Sequence, residues 1–334
     1  MKAVAILDSL PTSDPDCFHE VELPDPTPRD HDLVVKVHAV SINPIDAKVR
    51  RRSGPQDSPK VLGFDAVGTV VARGSKARFF DCGDRVFYSG DITRQGSNAE
   101  LQLIDERLAA RAPRSLSDAA AATVPLTALT AWECLFDRLC IPTDQPHGRL
   151  LILGGAGGVP TLALGLARAL TQLPHVVATA SRPESHEWVR ERGATAVIDH
   201  SRRLDEQLDA HSVDWVLSTH TSGRAAELAA IMAPQSHLVL IDDPTDFDLA
   251  AFKQKSIAVH WESMFTRSMF ATPDLARQGE ILGRVSSLLD AATLTAPVTR
   301  TLEGLSARTL REAHRLIEED RTVGKIAIDF GAGV

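Results

Sequence analysis

The chain has 334 residues, 43% of them apolar and 24% charged, which is enough for two globular domains with substantial cores. A formal net charge of −8 and a pI near 5.8 exclude general electrostatic attraction to nucleic acid or an acidic membrane, and the densest basic run, Lys48 to Arg52 in KVRRR, reads as a short solvated loop. Cys17, Cys82, Cys134 and Cys140 form no C-x-x-C pair and have no histidine at ligand spacing, so reduced thiols in a cytoplasmic protein are expected, with neither a disulfide framework nor a zinc knuckle.

In chain order, MKAVAILDSLP meets Asp8 after five apolar residues, too soon for an export signal. From residue 32 to 103 short β-type runs alternate with turn signals: LVVKVHAVSI, a break at Asn43-Pro44, FDAVGTVVA, RVFYSG and AELQLI. After Pro125 strand and helix patterns alternate. LLIL leads to a helix ending near Thr171, HVVATA to a helix over PESHEWVRERG, and TAVI to a short helix; DWVLST, a helix over AAELAAIM and HLVLI follow. Five strands with helical crossovers predict a parallel, right-handedly wound sheet, which SIAVHW at 256–261 extends at its edge. The uncharged stretch Leu150 to Ala167 holds five glycines and a proline and does not read as a membrane span. Two helical segments, near 274–291 and 307–320, and a strand-like KIAIDF close the chain.

The most informative stretch is LLILGGAGGVP at 150–160. A dinucleotide-binding turn needs one glycine for a tight bend, a second for backbone approach to the pyrophosphate, and a third for close helix packing. Those places hold Gly155, Gly157 and Pro160. Proline is tolerated in a first helical turn, where its missing amide has no intrahelical partner, so Ala156, Gly157, Gly158 and Val159 are left to supply the phosphate-binding backbone. An NAD site usually ends its second strand with Asp or Glu for the ribose 2′-hydroxyl; here HVVATASRPES places Ser181 and Arg182 there. A hydroxyl beside a guanidinium suits a 2′-phosphate and favours NADPH, although Arg182 also reads as a surface arginine at a helix start and Glu184 lies close by.

Together SINPIDAKVR, LGFDAVGTV, GDRVFYSGD, PLTALTAWECL, the glycine turn and the closing GKIAIDF resemble the medium-chain dehydrogenase/reductase superfamily, and within it the zinc-free quinone oxidoreductase-like branch of zinc-type alcohol dehydrogenase-like proteins. The resemblance implies an α/β protein with a GroES-like β-rich catalytic domain, residues 1–125 and 267–334, and a Rossmann NADPH-binding domain, residues 126–266. It also implies a homodimer joined at Rossmann edge strands, a role for SIAVHW with Met264 and Phe265. Zinc-using relatives carry a cysteine near Asn43 to Asp46 and Gly-His-Glu where this chain has Gly63, Phe64 and Asp65. Phenylalanine cannot ligate, and Asp46 with Asp65 alone makes a poor zinc site, so no metal is expected.

Without a Lewis acid, the accessible reaction is hydride transfer from NADPH to an electrophilic acceptor, a quinone or the β-carbon of an enone. By resemblance Asn43 lies beside the nicotinamide, Thr127 and Thr130 near its carboxamide or ribose, and Lys325 near the cofactor. Tyr88 is the candidate donor to a developing enolate oxygen, and Asp65 reads more readily as a structural carboxylate than as a catalytic acid. Plainer readings stay open: a turn residue for Asn43, helix-start caps for the threonines, a surface charge for Lys325. A free-standing enoyl reductase and a non-catalytic NADPH sensor are the alternatives.

Overall fold

A computed structural model describes residues 1–144 and 146–331. The chain forms two compact units. One comprises Met1–Leu129, Phe265–Ala292 and Ala296–Val334, the other Thr130–Met264 with Thr293–Thr295. The units part inside the helix Pro125–Trp132, a few residues beyond the division expected after 125.

The first unit is built on a sheet whose strands lie in the order Val298–Glu303, Lys325–Asp329, Asp32–Ile42, Asp65–Arg73, Arg85–Ser89 and Ala109–Arg111, with Leu101–Asp105 also pairing onto Asp32–Ile42. The first pair is parallel and the others antiparallel. Alternation sends Leu33, Val35 and Val37 into one core with Ile326, Ile328 and the buried face of the helix Ala307–Glu318. A smaller sheet joins His19–Glu22, Lys2–Ile6 and Lys60–Val61.

The basic run Lys48 to Arg52 is not a loop. It ends the helix Pro44–Arg52, where positive charge suits the carboxyl end of the helix dipole. Arg50 is wholly buried and donates to the Leu10 carbonyl and to Glu318 of the helix Ala307–Glu318. Its aliphatic stem and paired head let one member of a charged run face inward.

The second unit holds a six-stranded parallel sheet in the order Ala196–Ile198, His175–Thr179, Arg149–Ile152, Val213–Ser218, Met232–Leu240 and Ala258–Trp261. Numbered along the chain, that order is 3-2-1-4-5-6, the doubly wound Rossmann arrangement. SIAVHW supplies the edge strand, as its pattern suggests. The order reverses between the first and fourth strands, and open α/β sheets bind ligands outside the carboxyl ends of strands at such a reversal. The helical run Asp118–Arg138 is long and apolar enough to cross a membrane, but 89% of its most apolar window is buried within the protein, so core packing accounts for its composition.

Candidate functional site

Strand register gathers three side chains at one end of the first unit's sheet. Ser41 pairs with Asp65 and Ile42 with Ile326, so Asn43, Asp65 and Lys325 come from neighbouring strands at the same level. Asn43 also begins the helix Pro44–Arg52: Pro44 is preset for the first helical position, and Asp46 reaches back to accept the Asn43 N–H at 2.8 Å. None of the four is more than 3% exposed.

The cluster is closely wired. Lys325 Nζ donates to Asp65 Oδ2 at 3.1 Å, to the Ile42 carbonyl at 3.1 Å, and to Asn43 Oδ1. Asn43 Nδ2 donates to Asp65 Oδ2 at 2.8 Å, and the Leu126 N–H donates to Asp65 Oδ1 at 2.7 Å. An ammonium only donates and a carboxylate only accepts, so the Asn43 amide has one orientation. The three ammonium protons are spent inside the cluster. In this geometry Lys325 holds Asn43 and Asp65.

Burial pushes the Asp65 carboxyl up and the Lys325 ammonium down, while their mutual attraction opposes both shifts. Asp46 is raised to about 7, chiefly by burial, against the Asn43 amide and the Lys325 charge. Tyr88 does not join the group. It pairs with Ala66 and Ala109 on the core side of its strand, exposes no surface, and donates its hydroxyl to Gln102 Oε1 at 2.9 Å. Thr127 is 2% exposed, its hydroxyl turned back on the Thr123 and Val124 carbonyls at 3.0 Å each; Thr130 is also buried.

The donor set does not fit zinc. Phe64 packs edge-to-face on Phe265 with ring centroids 5.3 Å apart, both Asp65 oxygens are hydrogen-bonded, and an ammonium already faces the carboxylate. Among the described residues, no group of three or more His, Cys, Asp or Glu converges as a metal-binding set.

In the second unit the strand Arg149–Ile152 leads into the glycine turn, and Gly157 caps the helix Gly158–Leu170. Gly154 has φ +72°, and a Cβ there would come within 2.2 Å of Thr219 Oγ1. A Cβ on Gly155 would meet Ala178 Cβ at 2.9 Å and Val189 Cγ1 at 3.0 Å, so this glycine serves close packing while Gly154 makes the bend. Gly157 is different: the nearest atom to a Cβ there is 3.5 Å away, which leaves an open cradle at a helix N-terminus. Pro160 is buried in the first turn, and Thr161 N–H already reaches the Gly157 carbonyl at 2.9 Å. The Gly158 and Val159 amides precede it, where the helix offers no acceptor of its own. The turn fits a dinucleotide phosphate.

The second strand, His175–Thr179, ends beside this turn. Thr179 Oγ1 accepts the Gly154 N–H at 2.9 Å, and the Thr179 carbonyl accepts the Gly155 N–H at 2.9 Å. Ser181 is exposed and Arg182 caps the helix Pro183–Glu191; Arg182 Nε lies 3.6 Å from Glu184 Oε1, a solvent-exposed pair that contributes little. Sequence reasoning passed over Thr179, His200 and His220. Their signal is position, since each lies at or just beyond the carboxyl end of a strand in the βα series.

A β-rich unit drawn from both ends of the chain and a 3-2-1-4-5-6 parallel sheet with a glycine turn after its first strand define a nicotinamide-dependent oxidoreductase, and the chain belongs to the medium-chain dehydrogenase/reductase superfamily. Residues 29–113 match the alcohol dehydrogenase GroES-like domain and residues 192–328 the zinc-binding dehydrogenase domain. The chain is 36% identical to a zinc-type alcohol dehydrogenase-like protein of Staphylococcus aureus (strain COL) over 338 residues, 99% of this chain and 100% of that one. A crystal structure from Rhizobium etli CFN 42, named for zinc-dependent alcohol dehydrogenases, is 46% identical with a TM-score of 0.95, covering 100% of this chain and 99% of that one. The quinone oxidoreductase of Coxiella burnetii is 25% identical with a TM-score of 0.81, covering 98% and 99%.

Proposed function

We propose that the protein is a zinc-independent NADPH-dependent reductase that delivers hydride to a quinone or to the β-carbon of an α,β-unsaturated carbonyl. The observation that carries this reading is the filled cluster of Asn43, Asp65 and Lys325 beside Phe64, where zinc-using relatives would place metal ligands. With no metal-binding set among the described residues to act as a Lewis acid, the reading assigns an acceptor that is already electrophilic. Bound NADPH supplies the hydride; for an enone the acceptor then gains one proton at its α-carbon, and for a quinone one proton completes the hydroquinone. The open Gly157 cradle would hold the pyrophosphate, and Ser181 with Arg182 the 2′-phosphate. The proposal includes a homodimer through the edge strand Ala258–Trp261.

Steady-state kinetics with quinones and enones test the reading. Charge-assisted bonds are worth about 1.5 to 3 kcal/mol. Arg182→Ala should therefore raise KM for NADPH roughly tenfold to a hundredfold at about 1.4 kcal/mol per decade, leaving NADH kinetics within about twofold. Equal losses for both nucleotides, or a wild type that prefers NADH, would remove Arg182 as the phosphate reader.

A further inference from the structure

We propose that His200 is a third reader of the 2′-phosphate, binding it as imidazolium beside Arg182, so that NADPH capture takes up a proton. This rests on the NADPH reading above. His200 follows the third strand, Ala196–Ile198, which pairs Ile198 with Thr179 and accepts the Ala180 N–H on the Ile198 carbonyl at 2.9 Å. Its Nδ1 lies 3.3 Å from Thr179 Oγ1, the hydroxyl that accepts the Gly154 N–H. The ring thus stands two hydrogen bonds from the glycine turn, through Thr179, and beside the strand end that carries Ser181 and Arg182. Its backbone is also held, because Arg224 Nη2 donates to the His200 carbonyl at 2.7 Å while Nη1 donates to Glu227 at 2.9 Å.

Around this half-buried ring the net shift is downward, with burial its largest cause. Burial lowers its proton affinity, Asp199 raises it, and His220 and Arg224 lower it. The Asp199 carboxylate accepts the Ser201 N–H at 2.8 Å and its hydroxyl at 2.7 Å. Arg202 follows in the same loop, and Arg203 is paired with Asp205. The imidazole therefore holds its proton less readily than a free histidine does. A phosphate dianion placed against it would draw a proton, since histidine is the side chain most readily moved across this range by one nearby charge.

The sign of the effect separates His200 from a permanent cation. A phosphate monoester loses its second proton near pH 6, so Arg182 alone would make NADPH affinity rise through about pH 6 and then stay level. With His200 as imidazolium the affinity must fall again above neutrality, by at most about tenfold per pH unit for one linked proton. NADH, lacking the 2′-phosphate, should show neither limb.

The test is calorimetric titration of NADPH and NADH into wild type and His200→Gln from pH 5.5 to 8.5, in buffers of differing ionisation enthalpy. Wild type should lose about tenfold in NADPH affinity between pH 6.5 and 8 and take up protons on binding. His200→Gln should lose the falling limb and the uptake, and bind NADPH as wild type does at pH 8. Parallel profiles in the two proteins, or the same decline with NADH, would overturn the assignment. The wild-type proton count stands by itself if the variant misfolds: no uptake above pH 7 refutes the proposal. Failure to prefer NADPH over NADH at every pH would instead refute the NADPH reading, whereas a preference without His200-dependent uptake would refute the role of His200 alone.

Discussion

One ammonium, Lys325, faces two buried carboxylates, Asp65 and Asp46, and that imbalance sets where a proton is held. Asp65 is hydrogen-bonded to the ammonium, so Asp46 keeps the proton more readily, with its affinity raised from 3.8 to about 7. A carboxyl raised on folding stabilises fully below its unfolded value, and that contribution is lost as pH rises through about 7. Asp46→Asn keeps an acceptor for the Asn43 N–H without needing a proton. The variant should therefore gain on wild type by on the order of 2 kcal/mol between pH 5 and 7, read by denaturant unfolding at each pH; a difference that does not change with pH would contradict this account of the cluster. Asn43, Asp65 and Lys325 stand out in the sequence as single residues. Their convergence does not, because it depends on the register of strands more than 250 residues apart in the case of Lys325. Tyr88 misled for a different reason: being the chain's sole tyrosine says nothing about which face of a strand it occupies, and the alternation of RVFYS turns it into the core.

At the scale of elements, the two glycines of the turn make separable predictions. Gly157→Ala places a methyl group in open space at φ −72°, so stability should stay within about 1 kcal/mol while NADPH affinity falls at least about tenfold. Gly155→Ala pushes against Ala178 and Val189 and should cost about 1 to 3 kcal/mol of stability. Thermal unfolding with nucleotide titration distinguishes them; nucleotide affinity unchanged in Gly157→Ala would mean that the cradle holds no phosphate. The edge strand Ala258–Trp261 pairs on one side with Met232–Leu240 and carries Trp261, which is 57% exposed. Light scattering should give twice the chain mass of 36.1 kDa, and Trp261→Lys should shift the population toward monomer, since an edge lysine opposes strand addition. A wild type that scatters as a monomer would end the dimer proposal. Strand and helix alternation was legible here because periods of 2 and 3.6 survive in the apolar pattern. The helix holding Arg50 was not, because a run of three arginines gives no sign that one of them has a partly buried acid waiting in a helix near the carboxyl terminus.

Across the whole molecule, the βα series and the motifs flanking it made the fold readable before any coordinates. Strand order 3-2-1-4-5-6 and a β unit assembled from both ends of the chain agree with that reading. Chemistry was less legible. Absent cysteine and histidine ligands are visible in a sequence, but the ammonium that occupies their surroundings is visible only in three dimensions. In the proposed reaction hydride passes from NADPH to an activated acceptor without zinc. Its most direct measurement is mass spectrometry of the product formed from an enone and C4-deuterated NADPH by chelator-treated, metal-free protein. One deuterium is expected at the β-carbon, formed at the rate of the untreated protein. Absence of label from every enone offered, together with alcohol oxidation that appears only when zinc is restored, would contradict it.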